Sequence, residues 1–310
     1  MESWPTYAAA IRRHHRRITT PDDRALLQAA HLLPLTGRAT SAVYTLAHDG
    51  TPYCLKFYDA DAPQAARREW DALQVLRHHN YRRSPAPVHY SPDPALPVVV
   101  MTFLPGQHLS GSHLTPAQCA ALSRAVAELR AITPATVTQP LLPVCLASPV
   151  LIARVADTAA RLARGSLPVP PAAVPARRRL QAWLAGPEPA RLALPAPPTF
   201  SAGDANLSNF LWDGINLRVV DFACSGWGDI AYDLADLIEH DQSRGTPDDA
   251  WRTVTAACAL TAPEHARLAM ARRLMALSWL CRFWPRDPFS PLEAKFVAQL
   301  GRVATCFEDP

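Results

Sequence analysis

The run Ser201-Ala-Gly-Asp-Ala-Asn-Leu-Ser-Asn209, followed by Leu217-Arg-Val-Val-Asp221, sets Asp204, Asn209 and Asp221 around one short hairpin. Its turn carries Asp213-Gly214, a dipeptide common in tight turns. Asn209 opens the first strand and Asp221 closes the second, and antiparallel pairing brings those ends together. An amide beside a carboxylate suits magnesium, a hard ion that keeps phosphate and water among its ligands. Asp204, in the loop ahead of the hairpin, is placed to accept the proton of an attacking hydroxyl. The trio predicts a site where a metal-held phosphate meets a hydroxyl nucleophile.

A second pair lies far upstream. Lys56 sits in the apolar strand TPYCLKFY (51–58), on the face shared with Cys54 and Tyr58. Glu69 borders the stripe Ala66, Trp70, Leu73, Leu76 of the next helix. An unpaired buried charge is costly, so Lys56 and Glu69 are predicted to pair at the sheet–helix interface. A lysine held this way suits the phosphates of a nucleotide. Between them and the N-terminus, Leu35-Thr-Gly-Arg-Ala-Thr-Ser41 offers Gly37 and Ser41 as candidate phosphate contacts, through backbone amides and a hydroxyl.

The elements that must hold these groups follow from periodicity. Ser41–His48 and Thr51–Tyr58 alternate with period two about Asp49-Gly50, and a helix is predicted over 62–79. Two more strands are predicted, near Val88 and across 97–103. Beyond Leu104-Pro105-Gly106 the pattern turns helical: 115–132 with Thr115 as N-cap and Pro116 at the first position, then 150–163 and 176–184. After the catalytic hairpin come 229–240, 247–259, 263–283 and 291–305. The predicted class is α+β: a small antiparallel lobe (1–104), a short hinge at its end, and a mainly helical lobe (105–310). A Pro-rich segment, 134–198, interrupts the second lobe.

Composition narrows the rest. The chain has 310 residues, 49% of them hydrophobic, and a net charge of +4, which predicts a folded protein with no nucleic-acid stripe. The basic residues of the N-terminus follow its short apolar stretch, the wrong order for a signal peptide. No apolar run reaches membrane length. The seven scattered cysteines read as reduced core thiols. Together these predict a cytoplasmic protein, monomeric or weakly dimeric, with no nucleic-acid or membrane partner. Gly226-Trp-Gly228-Asp-Ile-Ala231 matches a dinucleotide fingerprint in letters, but no βαβ unit surrounds it.

Asp204-x4-Asn209, Asp221 and Gly228-Asp229-Ile-Ala-Tyr-Asp233-Leu-Ala together resemble the aminoglycoside phosphotransferase and choline kinase-like family. The resemblance covers nearly all of the chain outside 134–198. It implies the two-lobed protein kinase-like fold, with ATP or GTP as donor, Mg2+, and a small hydroxylated acceptor. It further implies Asp204 as catalytic base, Asn209 and Asp221 as metal ligands, and Lys56 with Glu69 positioning the nucleotide. Val100 to Phe103, with Met101 and Phe103 as contacts, would be the hinge that meets the purine. Asp229 and Asp233 would brace the catalytic loop, and the Pro-rich insert would cap the acceptor. Two positions depart from the family: Ala202 stands where a histidine is common, and Ala223 where a glutamate is common.

The acceptor is the open point. Arg244 is the only Lys or Arg between Asp221 and Asp249, so Glu239 and Asp241 are candidate contacts for a polycationic antibiotic. The insert is basic and apolar, which suits a larger, less cationic acceptor such as a macrolide. A primary-metabolite acceptor (an amino alcohol, homoserine or a sugar) and a nucleotide-binding pseudokinase scaffold are the alternatives. The intact Lys56, Asp204, Asn209 and Asp221 argue against the scaffold.

Overall fold

The computed structural model describes residues 9–13, 20–35, 41–59, 62–93, 96–109, 113–287 and 291–308. A helix, α1 (Pro21–Ala29), leads into β1 (Leu33–Pro34), β2 (Ser41–His48) and β3 (Thr51–Tyr58). Asp49 and Gly50 take φ of 48° and 73°, the left-handed pair that a two-residue hairpin needs. After α2 (Pro63–His78), β4 (Pro87–Ser91) and β5 (Val98–Thr102) complete an antiparallel sheet of order β1-β2-β3-β5-β4.

The two faces of this sheet do different work. Tyr44, Phe57 and Val98 pack with Leu27 and Leu96 in a small separate core. The opposite face carries Lys56, Tyr58, Val99 and Met101 and meets α2, whose Ala66, Leu73 and Leu76 are fully buried. Strand alternation is what aims Lys56 at that helix while its neighbour Phe57 faces away.

The helical region begins after β6 (Gln107–His108) with α3 (Pro116–Arg130), capped by a reciprocal Thr115–Gln118 box. It continues with α4 (Ser148–Ala163), α5 (Val174–Ala185) and α6 (Glu188–Ala193). Three-residue strands β7 (Thr199–Ser201), β8 (Phe210–Trp212), β9 (Leu217–Val219) and β10 (Gly226–Gly228) then frame the predicted catalytic residues. The chain ends in α7 (Ile230–Glu239), α8 (Asp248–Ala257), α9 (Ala262–Phe283) and α10 (Ala294–Glu308). α9 is the central post, packed against α4, α7 and α10, with Leu274, Leu277 and Leu280 fully buried. Each such leucine contributes roughly 1.5–3 kcal/mol. The Pro-rich segment is part of this core, through Leu151, Val155 and Leu180.

Three details differ from the sequence reading. β7 and β10 pair with each other, so Gly226 and Gly228 lie in a strand and not in a strand-to-helix turn. α6 is an additional helix. Cys119, Cys258 and Cys306 are buried as expected, but Cys145 is exposed. Among the described residues, no helix is long and apolar enough to cross a membrane.

Candidate active site

Lys56 is almost wholly buried, and its ammonium donates to Glu69 Oε2 and to Asp221 Oδ1, each at 2.7 Å. Burial alone would lower its pKa; the charges of Asp221 and Glu69 overcome that and hold it above the ordinary value. Glu69 uses its other oxygen to accept from the Phe222 amide at 3.2 Å. The pair predicted from the sequence is thus a triad that ties the sheet, α2 and the loop after β9 together.

The loop after β7 carries Asp204. Gly203 has φ +75°, and a Cβ there would lie 2.0 Å from the Cys224 carbonyl oxygen, so no other residue fits without displacing backbone. Ser201 fastens the same turn: its hydroxyl donates to Asp233 at 2.5 Å and accepts from the Gly203 amide at 3.0 Å. The Asp204 carboxylate accepts from Asn206 Nδ2 at 2.9 Å and from Asn209 Nδ2 at 3.3 Å. Asn206 also caps the single 3-10 turn Leu207–Asn209 through the Ser208 amide.

Asn209 and Asp221 are held side by side by a main-chain bond from Val220 N to Asn209 O, 2.9 Å long. Asp221 takes φ +70°, a left-handed conformation that an L-residue holds only when its surroundings impose it. Asn209 Oδ1 is buried and meets no hydrogen-bond partner among the described residues. A buried acceptor is rarely left unsatisfied without reason. An orphaned amide oxygen beside a carboxylate is a donor set that fits a magnesium ion completing its shell with phosphate and water. Among the described residues, no cluster of three His, Cys, Asp or Glu side chains forms a metal centre of another kind.

A cavity of about 220 Å3 opens between the sheet and the helical region. Lys56, Glu69, Asn209 and Asp221 line its polar end, and Ser41, Met101 and Phe103 line its walls. Asp204 lies beyond this cavity, joined to it through Asn209. Gly37 falls outside the described residues.

Beneath the loop lie three aspartates of α7 and its N-cap, two of which, Asp233 and Asp236, hold the loop. Asp229 caps the helix through the Ala231 amide and pairs with Arg267. Burial raises the Asp233 carboxyl to about 7. Burial, and then the charge of Asp204, raise Asp236 well above its ordinary range while it accepts from the Ala205 amide at 3.1 Å. Sequence reasoning missed Asp236 and Ser201. The signal was there: positions 229, 233 and 236 share one face of a helix.

The expected acidic wall is corrected here. Glu239 is fully buried, its carboxylate held by Arg272 at 2.9 Å and by Arg302 at 2.6 and 2.8 Å. It is an internal ion cluster and does not face an acceptor. Asp241 is engaged by Lys295 at 2.6 Å.

A five-stranded antiparallel sheet joined to a helical region, with a buried lysine triad and the Asp204 loop at their junction, is the architecture of a kinase-type phosphotransferase. The family model described as the phosphotransferase enzyme family, APH, matches residues 31–271, and the chain belongs to that family. It is a small-molecule kinase. Solved structures share its fold. One is a choline/ethanolamine kinase family protein from Mesorhizobium loti (20% identity, TM-score 0.62, 97% of this chain and 96% of that one). Another is a thermostable mutant aminoglycoside phosphotransferase in ternary complex with ADP and hygromycin B (17%, 0.59, 93% and 98%). A third is a macrolide 2'-phosphotransferase from Brachybacterium faecium (19%, 0.58, 94% and 99%). No curated protein sequence matches this chain.

Proposed function

We propose that the chain transfers the γ-phosphoryl group of ATP or GTP to a hydroxyl of a small-molecule antibiotic. The observation that carries this reading is the convergence of Lys56, Asp221 and the unpartnered Asn209 oxygen at the polar end of one cavity. Lys56 is positioned to exchange a carboxylate for nucleotide phosphate, with Glu69 keeping its charge in place. Magnesium, when bound, supplies charge neutralisation on the phosphates; Asn209 and Asp221 are the residues that would hold it. Asp204, oriented by two amides, takes the proton of the acceptor hydroxyl as its oxygen attacks phosphorus and the bond to the β-phosphate oxygen breaks.

For the acceptor, a large and weakly charged antibiotic such as a macrolide is favoured over a polycationic aminoglycoside. The two candidate carboxylates are already paired within the chain: Glu239 with two arginines and Asp241 with Lys295. A choline-like acceptor would need open aromatic faces, but Trp279 and Phe283 are covered by the chain's own Arg282 and Lys295, at 5.3 and 5.7 Å.

The test is nucleoside-diphosphate release from Mg-ATP and Mg-GTP against macrolides, aminoglycosides, peptide antibiotics, amino alcohols and sugars, with Asp204→Asn as blank. Release stimulated by macrolides and absent in the blank is the expected result. Stimulation by amino alcohols or sugars alone would move the acceptor to primary metabolism. Nucleotide binding with no stimulated release would favour the scaffold reading.

A further inference from the structure

Cys145 and Cys224, far apart in sequence, meet in the fold. The Cys145 amide donates to the Cys224 carbonyl at 3.2 Å. Two residues joined by a main-chain hydrogen bond approach closely enough for a disulfide, which needs roughly 4.4–6.8 Å between Cα atoms. The strands of chain that carry them are also fastened together. Trp227 N donates to Leu142 O at 2.9 Å and Val144 N to Trp227 O at 3.1 Å. Arg68, beside Glu69 on α2, donates to both segments, at 2.6 Å to Pro143 O and 2.7 Å to Ser225 O.

The two cysteines sit at mechanically different places. Cys145 is exposed, at the entry to α4 in the Pro-rich segment. Cys224 follows Asp221 in the same loop, and its carbonyl is the atom against which Gly203 packs. A bond between these sulfurs would tie the Pro-rich segment to the loop shared by Asp221 and the Asp204 turn.

We infer that Cys145 and Cys224 form a peroxide-sensitive thiol pair whose disulfide draws on the Asp221 loop and weakens Mg-nucleotide binding. In the reaction, the Cys145 thiolate attacks a hydroperoxide oxygen, the O–O bond breaks, and an alcohol or water leaves, giving a sulfenic acid. The Cys224 sulfur then attacks Sγ of Cys145, the S–O bond breaks, and water leaves. Two thiols and one hydroperoxide thus become one disulfide, one water and one alcohol (or a second water).

The electrostatics agree with this division of labour. The hydrogen bond from Cys224, and the charge of Arg68 against partial burial, draw the Cys145 thiol down to about 6; that same bond and burial push Cys224 up. An exposed thiol with a depressed pKa is the nucleophile of such a pair. The other five cysteines are each pushed up by burial.

The experiment treats the full chain with hydrogen peroxide, maps disulfides by mass spectrometry without reduction, and measures Mg-ATP affinity by calorimetry. The expected result is one linked peptide pair, Cys145 with Cys224. Affinity should fall at least about threefold and return with dithiothreitol, while Cys145→Ser shows neither effect. Over-oxidation of Cys145 without a link, or a link elsewhere, would overturn the pair; a link that leaves affinity unchanged would overturn its effect on the loop. The affinity readout rests on the proposed kinase function, and the peptide map does not. Failure of reduced protein to bind Mg-ATP would therefore count against that function alone. Cys224→Ser, with its fold checked by near-ultraviolet circular dichroism, must also abolish the link.

Discussion

Replacing the Asp204 carboxylate by its amide keeps the shape of the loop and removes the proposed proton acceptor. Asp204→Asn is expected to lower turnover roughly 10²–10⁴-fold with nucleotide affinity intact, which calorimetry beside steady-state kinetics would check; normal turnover would end its role as base. Asp221→Ala should abolish magnesium-dependent nucleotide binding, since it removes the carboxylate beside Asn209 Oδ1; unchanged affinity in magnesium against EDTA would argue otherwise. Asp233 makes a pH prediction. Burial raises its carboxyl from 3.8 to about 7, so the folded chain holds this proton more tightly than the unfolded one. The stabilisation is complete below 3.8 and is lost as pH rises through about 7. Asp233→Asn should flatten that loss by roughly 2 kcal/mol, a figure discounted for partial exposure. Urea unfolding at about pH 5 and about pH 8 measures it, and parallel losses in both proteins would show that Asp233 is ionised throughout. Asp204, Asn209, Asp221, Lys56 and Glu69 were legible as single letters because spacing around a hairpin and a strand is local. Ser201 was not, because its value lies in touching Asp233, a partner on another element.

At the scale of elements, legibility followed the locality of the chemistry. The Asp49-Gly50 hairpin and the Thr115 cap were readable because a turn or a cap is specified by adjacent residues. β7 and β10 were not: three residues cannot display a period, and these strands exist because they pair with each other. That pairing sets the turn that carries Asp204, which yields a prediction for its hinge. Gly203→Ala must move the Cys224 carbonyl or the turn, and it also forces a methyl-bearing residue to φ +75°. A loss of roughly 1–3 kcal/mol from backbone strain alone is expected, with turnover falling further than stability explains. Equal stability and activity would mean that the loop is looser than its geometry.

Across the whole molecule, the misread acidic wall shows what a sequence hides. Glu239 and Asp241 look solvated beside a stretch almost without bases, yet Arg272 and Arg302 reach Glu239 from 33 and 63 residues away. Only the packing of α7, α9 and α10 reveals that the charges cancel. Removing the acid leaves Arg272 and Arg302 with Asp248 as their remaining partner, so Glu239→Ala is expected to destabilise by less than the roughly 3–5 kcal/mol of a wholly uncompensated buried charge. Chemical denaturation checks this, and a change under about 1 kcal/mol would show that the arginines turn outward to water.

The double engagement of Lys56 bears on the order in which ligands assemble. Its ammonium already rests against Asp221 at 2.7 Å, so a bare divalent cation arriving alone must compete with a resident counterion for the same oxygens. A nucleotide gives the ammonium somewhere else to go. Metal and triphosphate should therefore enter as a preformed complex, with free magnesium binding weakly until phosphate is present. Lys56→Met, by removing the competitor, is expected to strengthen binding of the ion alone even as it weakens binding of the nucleotide.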